Sequence, residues 1–494
     1  MSKGKRKRLI AEQQKQQQEH FEAEKAVKHK KNKTIAVISI SIASVISAIL
    51  IVGLVAALVQ NAFISSGRYM RQTTAVKSEN YEVTEAMLAY KIGNMYQTFV
   101  SYYGEYISYT GLDTEKPLDS QEYQEGQTWL EYFASQSKSY VQTMLILNEA
   151  AKADGVALTA AEIANIENIA ENKDLSGYAK GISTKDVEDF MKLDSLAAKY
   201  KNTVITDADT SDEAIENYYE ENKADYILCS YRSYAFTYGS DKDFSSADEA
   251  KSKASELQNC NTENEFIEYL TEYLKLKNSE ISDNDLQSEL DQTLNEYKTI
   301  ANTDENISEW AFDGSRELCD TYIFDNDSDT VTVYMLTSLP SPDKRITKDV
   351  RHILLTADTY DDDEEKALQK AEEILNEWNS GDKTEETFAL LAEKYTEDIA
   401  SAVTGGLYEN VYQGEMSVNF NDWCFDEGRK IGDVDIVATN YGEHIIYFVG
   451  DGMEKWKADV IGAIKSEYYS DKYSELSSLY SVQYSQDAID DIKY

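Results

Sequence analysis

Beyond residue 80, apolar positions recur first at helical spacing and later alternate between short strands and amphipathic helices. From Tyr81 to Tyr109 the pattern is helical and dense in tyrosine, with Tyr90, Met95, Tyr96, Phe99, Tyr102, Tyr103 and Tyr106. Pro117 and the Asp119-Ser120 turn end that run, and a second helix carries Trp129, Tyr132, Phe133, Tyr140, Leu145 and Leu147. Thr159 with Glu162 has the spacing of a capping box opening a short helix. Ser183 or Thr184 opens another, with Val187, Phe190, Leu193, Leu196 and Ala197 on one face. Ser211 starts a last one through Ile215, Tyr218 and Tyr219, followed by Asn222 and Tyr226. Residues 80–228 are therefore expected to be a helical region. Aromatic stripes of this kind ordinarily build core; the rarer use is a greasy groove for unfolded chains.

The pattern then repeats. Trp423-Cys424-Phe425-Asp426 recurs 113 residues earlier as Trp310-Ala311-Phe312-Asp313, and at the same offset Arg429 matches Arg316, Asp433 matches Asp320 and Tyr447 matches Tyr334. Upstream, Val350-Arg351-His352-Ile353-Leu354-Leu355-Thr356 parallels Tyr231-Arg232-Ser233-Tyr234-Ala235-Phe236-Thr237. Both copies read as strand, amphipathic helix, second helix, irregular loop, helix and closing strand. The first helix is expected to bury Ala247, Ala250, Ala254 and Leu257 in copy one, and Ala367, Leu368, Ala371, Ile374, Leu375 and Trp378 in copy two. Pro340 and Pro342 punctuate the join. The expected fold is α+β: a helical region, two tandem α/β modules over 229–339 and 345–452, and a C-terminal helix within 453–494. That helix (Trp456, Val460, Ile464, Tyr468, Tyr469, Tyr473, Leu476) is expected to pack back on the helical region.

Charge changes the picture at the other end. Residues 1–33 hold eleven Lys/Arg and four Glu, a net of +7, leaving −49 on the rest of a 494-residue chain whose formal charge is −42. No charged residue occurs from Thr34 to Gly67, and the stretch from Ile35 to Val59 is rich in Ile, Val, Ala and Leu. About 20 apolar residues cross a bilayer as a helix, so residues 34–59 are expected to be a single transmembrane helix. The basic tail before it, against Arg68 and Arg71 after it, places residues 1–33 in the cytoplasm and the acidic bulk outside the cell membrane. A cleaved leader is the rival reading, because Ala56-Ala57 are small; its apolar region would ordinarily be about 7–15 residues, shorter than this one. The acidity excludes a nucleic-acid binder, which needs a basic face. Hydrophobic residues at 42% exclude a disordered acidic tail, and three prolines and four scattered cysteines exclude a Pro-rich linker and a disulfide scaffold.

Candidate chemistry is sparse. The four histidines are His20 and His29 in the basic tail and His352 and His444 outside it. Their spacing supports no metal site, since zinc takes three or four ligands. There is no Gly-x-Ser-x-Gly elbow and no phosphate-cradling glycine loop. One ordered series stands out: Arg351-His352-Ile353-Leu354, Tyr395-Thr396-Glu397-Asp398, Gly405-Gly406-Leu407, Gly414-Glu415-Met416, Phe420, and Gly442-Glu443-His444-Ile445-Ile446. In this order and with these gaps the series resembles a parvulin-type peptidyl-prolyl isomerase domain. The helical part, with Ser211-Asp212-Glu213 and Tyr218-Tyr219-Glu220-Glu221-Asn222-Lys223, resembles the chaperone region of SurA-like, PrsA-like and trigger-factor-like foldases. The resemblance runs over roughly 80–494, most specifically over 348–450.

The resemblance implies a cofactor-free isomerase. His352 and His444 would form a hydrogen-bonded pair beneath the pocket, and Asp398 would take the position of the family's Cys/Asp. Leu407, Met416, Phe420 and Tyr441 would hold the substrate, and Gly405-Gly406 would allow a tight turn. The sequence also departs from the family: the usual acid after the glycine pair is absent, Glu415 replaces a common Gln, and Glu443 replaces a common aromatic. These acids are expected to weaken binding of acidic substrates. Copy one has Ser233 and Val331 in place of the histidines and lacks the glycine pair, so it reads as degenerate. Asp325-Asn326-Asp327-Ser328-Asp329 begins like a calcium loop, but Thr330 replaces the required Gly and Leu336 the closing Glu, so a hairpin turn fits better. Cys229, Cys260, Cys319 and Cys424 have no framework spacing, and Cys424 matches Ala311, a small buried position.

The expected protein is a membrane-anchored isomerase and chaperone acting on unfolded, newly exported polypeptides. Two alternatives stay open: a non-catalytic holdase, and a structural surface protein using the modules as spacers.

Overall fold

Capping chemistry sets the helices of the first region. Thr84 accepts the Met87 N–H and opens Glu85–Tyr103. Reciprocal capping boxes join Thr128 to Glu131 ahead of Trp129–Asp154, and Thr159 to Glu162 ahead of Ala160–Asn172. Ser183 donates from its N–H and hydroxyl to Asp186 at the start of Thr184–Thr206. The computed structural model describes residues 67–360 and 363–494. The expected basic tail (1–33) and transmembrane helix (34–59) lie outside the described residues. Among the described residues no helix is long and apolar enough to cross a membrane.

The tyrosine-rich run is not one continuous helix. A sheet strand β1 (Thr74–Lys77) pairs with β2 (Glu82–Thr84) before the helix begins. The helix stops at Tyr103, where Gly104, at φ +48°, turns the chain into a 3-10 stretch, Gly104–Thr110. Around that break Tyr102, Tyr106 and Tyr109 are 76%, 70% and 86% exposed. A small hairpin of β3 (Glu122–Gln124) and β4 (Gln127–Thr128) follows, and the helices before and after it bury Leu88, Ile92, Trp129, Phe133, Leu145 and Phe190 in one core.

Two modules of like topology come next in the chain. In the first, β5 (Ile227–Thr237), β6 (Leu294–Lys298), β7 (Thr321–Asp325) and β8 (Thr330–Pro342) form a sheet of order β6-β5-β8-β7. In the second, β9 (Ile346–Leu355), β10 (Leu407–Val411), β11 (Val434–Thr439) and β12 (Gly442–Glu454) have the order β10-β9-β12-β11. Helices Ala247–Gln258 and Glu263–Lys277 cover one face of the first sheet, as Glu364–Asn379 and Glu385–Tyr395 cover the second. An equivalent ion pair anchors both: Arg232 to Glu263 at 2.7 Å and Arg351 to Glu385 at 2.9 Å, each acid being the first residue of the second helix. Three helix positions differ from expectation: Leu368 is exposed, and Leu375 and Ala247, the latter at a helix start, are half-buried.

Sheet register corrects the repeat by one residue. Tyr447 pairs with Arg351, but Arg232 pairs with Met335, so Met335 and not Tyr334 is the counterpart of Tyr447. Tyr334 points to the opposite face. The counterpart of His444 is then Thr332, and Val331 sits in the helix-side core. The cause is turn length: five residues separate Asp325 from its partner Val331, four separate Ala438 from Glu443. The extra residue belongs to the Asp325–Asp329 turn, where Asn326 Oδ1 accepts the Ser328, Asp329 and Thr330 N–H groups.

After β12, the helix Lys455–Leu479 lays Trp456 and Val460 against Ile215 and Tyr219, and then Tyr469, Tyr473 and Leu476 against the helical core. The last fifteen residues are ordered in a way the sequence pattern does not foretell. There β13 (Gln483–Tyr484) pairs with β1, and Ala488, Ile489 and Ile492 join the helical core.

Candidate active site

Strand alternation assembles the site. On β9 and β12, Arg351, Ile353, Leu355, Ile445 and Tyr447 face the helices, so His352 and His444 emerge together on the opposite face. Their Nδ1 atoms lie 3.2 Å apart, and both rings are buried (1% and 7% exposed). His352 Nε2 lies 3.0 Å from Asp398 Oδ2 and 3.2 Å from Ser401 Oγ. His444 Nε2 lies 3.0 Å from Thr439 Oγ1. Tyr408 donates its hydroxyl to the same Asp398 Oδ2 at 2.8 Å, with its ring 4.3 Å from that of His352. Phe420 stands edge-on to both imidazoles, 6.0 Å and 5.3 Å away, and Met416 packs in its cluster. The result is a hydrogen-bonded line, Asp398–His352–His444–Thr439, under an aromatic wall.

Its electrostatics follow from burial. Desolvation pushes His444 down to about 3, helped by the charge of His352 and opposed by that of Asp398. His444 is therefore neutral at physiological pH. Burial opposes ionisation of Asp398, but the hydrogen bond and charge of His352, with the hydroxyls of Ser401 and Tyr408, outweigh it and hold the carboxyl well below its usual range. Burial and the Asp398 charge raise the Tyr408 phenol, keeping it a proton donor.

The glycine pair is required by space as well as by conformation. Gly405 and Gly406 have φ of +66° and +72°, and a Cβ on Gly406 would come within 2.2 Å of the His352 carbonyl oxygen. Through this approach His352 N–H donates to Gly406 O at 2.8 Å.

The structure brings His352, His444, Asp398, Met416 and Phe420 together, and turns two expected residues elsewhere. Leu407 pairs with Arg351 and so takes the helix-side face, whereas Tyr408 pairs with Val350 and takes the histidine face. With no residue between the glycine pair and β10, the strand presents its second residue, not its first, to the site. Tyr441, on the turn between β11 and β12, is 56% exposed and lines a cleft of about 540 Å³ shared with Tyr102, Gln97 and Lys173. Neither departing acid faces the imidazoles. Glu415 accepts the Tyr412 N–H within its own turn, and Glu443, one residue from His444, takes the other face of β12. Tyr408, Ser401 and Thr439 were missed; alternation along β10 separates Leu407 from Tyr408, but only the pairing with β9 says which of them faces the site. All four cysteines are free thiols, with Cys229 and Cys424 buried.

In the first module Ser233 and Thr332 occupy the histidine positions, with Asn295 donating to Ser233 Oγ at 3.2 Å.

Comparison with known proteins bears on the same module. Residues 340–450 match the family model described as PPIC-type PPIASE domain. A 127-residue stretch is 35% identical to Foldase protein PrsA 1 of Listeria innocua serovar 6a, spanning 25% of this chain and 38% of that relative's length. Among solved structures, a peptidylprolyl isomerase (PrsA) from Bacillus anthracis aligns at 15% identity over 57% of this chain and 89% of its own, with a TM-score of 0.19. PrsA from Bacillus subtilis aligns at 17% identity over 64% and 89%, with a TM-score of 0.18. The second module is thus similar in sequence to PPIC-type, parvulin-like isomerase domains, and through it the chain resembles foldases of the PrsA kind.

Proposed function

We propose that the chain is a peptidyl-prolyl cis-trans isomerase and chaperone for exported polypeptides, held at the cell membrane by residues 34–59 with its acidic bulk outside. The observation that carries this is the buried His352–His444 pair, bonded to Asp398 and walled by Tyr408, Met416 and Phe420, inside the segment that matches an isomerase family.

The chemistry needs no nucleophile or cofactor. The barrier to prolyl rotation is about 18–20 kcal/mol, because amide resonance must be broken. The twisted amide is less polar than the planar one, so a pocket that grips the ring in apolar surroundings favours it. Met416, Phe420 and Tyr408 supply that grip. His444 is neutral, while the Asp398 carboxylate orients His352 and with it the pair. A histidine pair of this kind acts by fixing the pocket and its dipoles; no bond to the substrate is made.

The exposed ridge of Tyr102, Tyr106 and Tyr109 supports the chaperone part of the reading, since amphipathic rings bind unfolded segments with little loss of side-chain entropy. A proline-limited refolding assay on the full chain tests the proposal, with the paired substitution His352→Ala/His444→Ala as control. Acceleration that disappears in the double variant is expected. Absence of acceleration with aggregation still suppressed would replace the isomerase by a holdase, and absence of both effects would leave the spacer.

A further inference from the structure

The loop that carries Asp398 is held from outside its own module. Asn165, on the helix Ala160–Asn172, is 5% exposed, and its Nδ2 donates to the Thr396 carbonyl at 2.9 Å. Its Oδ1 is buried with no partner among the described residues. An unpaired buried acceptor costs about 1–3 kcal/mol, so packing alone does not account for an asparagine at this position; its donor does. Thr396 is fully buried and has every polar group engaged. Its N–H donates to Ala392 O, and its hydroxyl oxygen accepts the Leu354 N–H at 3.1 Å and the Asp398 N–H at 3.3 Å.

Two residues on, Asp398 Oδ1 accepts the Ala400 N–H at 3.2 Å and caps the single turn Ile399–Ala402. Ile399 packs on the helical core. The catalytic-site acid therefore sits between two anchors, a hydrogen bond at 396 and an apolar contact at 399, and both reach into the helical region. Only its Oδ2 faces inward, to His352 and Tyr408.

We infer that Asn165 is a positioning residue: its bond to Thr396 lets the helical region fix the Asp398 carboxylate against His352. The site of the isomerase proposed above, on which this inference rests, is then completed by a residue from a different part of the fold. Asn165→Leu removes the donor at nearly constant volume, and Ile399→Ala removes the second anchor should the first variant fold poorly. A misplacement of about 1 Å can cost a hundredfold in rate; with one anchor left, kcat/KM for proline-limited refolding by the full chain is expected to fall about tenfold.

A purely structural role would also lower activity through instability, so the deciding readout is spectroscopic. In the full chain labelled with [15N]histidine, the His352 imidazole resonances are expected to move toward free-imidazole values in either variant. Amide exchange is expected to rise over 396–402 but not over 346–355. A lower melting temperature with unmoved His352 resonances and unchanged kcat/KM would overturn the inference. If the unmodified chain accelerates no refolding, the isomerase reading fails, while the imidazole and exchange measurements still decide the positioning.

Discussion

Gly406→Ala probes the tightest contact in the candidate site, and Gly414→Ala provides its internal reference. Both glycines have positive φ, +72° and +91°. An L-residue in the left-handed region pays about 1–2 kcal/mol, so both variants lose at least that. They differ in space. The new Cβ at 406 would stand 2.2 Å from the His352 oxygen and 2.9 Å from the Ala392 Cβ, whereas nothing lies within 4 Å at 414. To restore a 3.0 Å contact the two strands must part by about 0.8 Å. Overpacking of this order costs a further 1–3 kcal/mol or so, for a total of about 2–5 kcal/mol at 406. A chain of several units does not unfold in two states, so the assay is residue-resolved hydrogen exchange across β9 and β10, read as local opening free energies. Because the displaced strand carries the acceptor of the His352 N–H, isomerase activity should fall tenfold or more in Gly406→Ala, on the scale of about a hundredfold per 1 Å. It should change little in Gly414→Ala. Equal destabilisation of the two variants, or a Gly406→Ala protein with unchanged exchange at His352, would refute the reasoning.

Three further outcomes are expected. Acid should loosen the second module before the first: His444 is held at about 3 in the folded chain against an ordinary 6.5, so only the unfolded state takes its proton between these values. Its stabilising contribution is complete above pH 6.5 and declines as pH falls toward 3, by a few kcal/mol at about 1.4 kcal/mol per unit; the depressed Asp398 adds to the loss below the usual Asp range, and His444→Gln should flatten the slope in exchange measurements. Val331→His and Thr332→His should differ sharply in denaturation, the first forcing an imidazole into an apolar core at a cost of about 2–4 kcal/mol and the second nearly neutral; equal effects would return the repeat to its unshifted alignment. Tyr408→Phe should lower isomerase activity while Leu407→Ala leaves it within about twofold, since only Tyr408 reaches Asp398; kcat/KM in the refolding assay reads both.

What was legible in the sequence divides by range. Caps are local: Thr159 with Glu162 stands where the spacing put it, and of Ser183 and Thr184 it is Ser183 that caps the next helix. The histidine pair was legible because the ordered fragments of a known family flank it, and the sheet joins residues 92 apart in the chain. Register was not, because it depends on a partner strand: whether Leu407 or Tyr408 faces the site is decided by pairing with Arg351 and Val350. The one-residue slip between the copies arose likewise in a turn, where an added residue costs the fold little but shifts every later correspondence. The pairing of β13 with β1 joins a two-residue strand to one about 400 positions away, with no local pattern to announce it.

The two modules separate what this fold needs from what the site needs. Arg232 and Arg351 both reach the first acid of the second helix, and both donate to backbone carbonyls further along: Leu290, near the end of the helix Asp283–Gln292, in one module, and Thr404 and Gly405 in the other. That latch closes the helices on the sheet, and each module has it. On the opposite face of the same strands the residues diverge, Ser233 and Thr332 standing where His352 and His444 do. The first sheet forms without a histidine pair, Asn295 donating to Ser233 Oγ at that face. The second module buries two imidazoles at that face, with His444 strongly depressed, a cost that the first sheet does not carry.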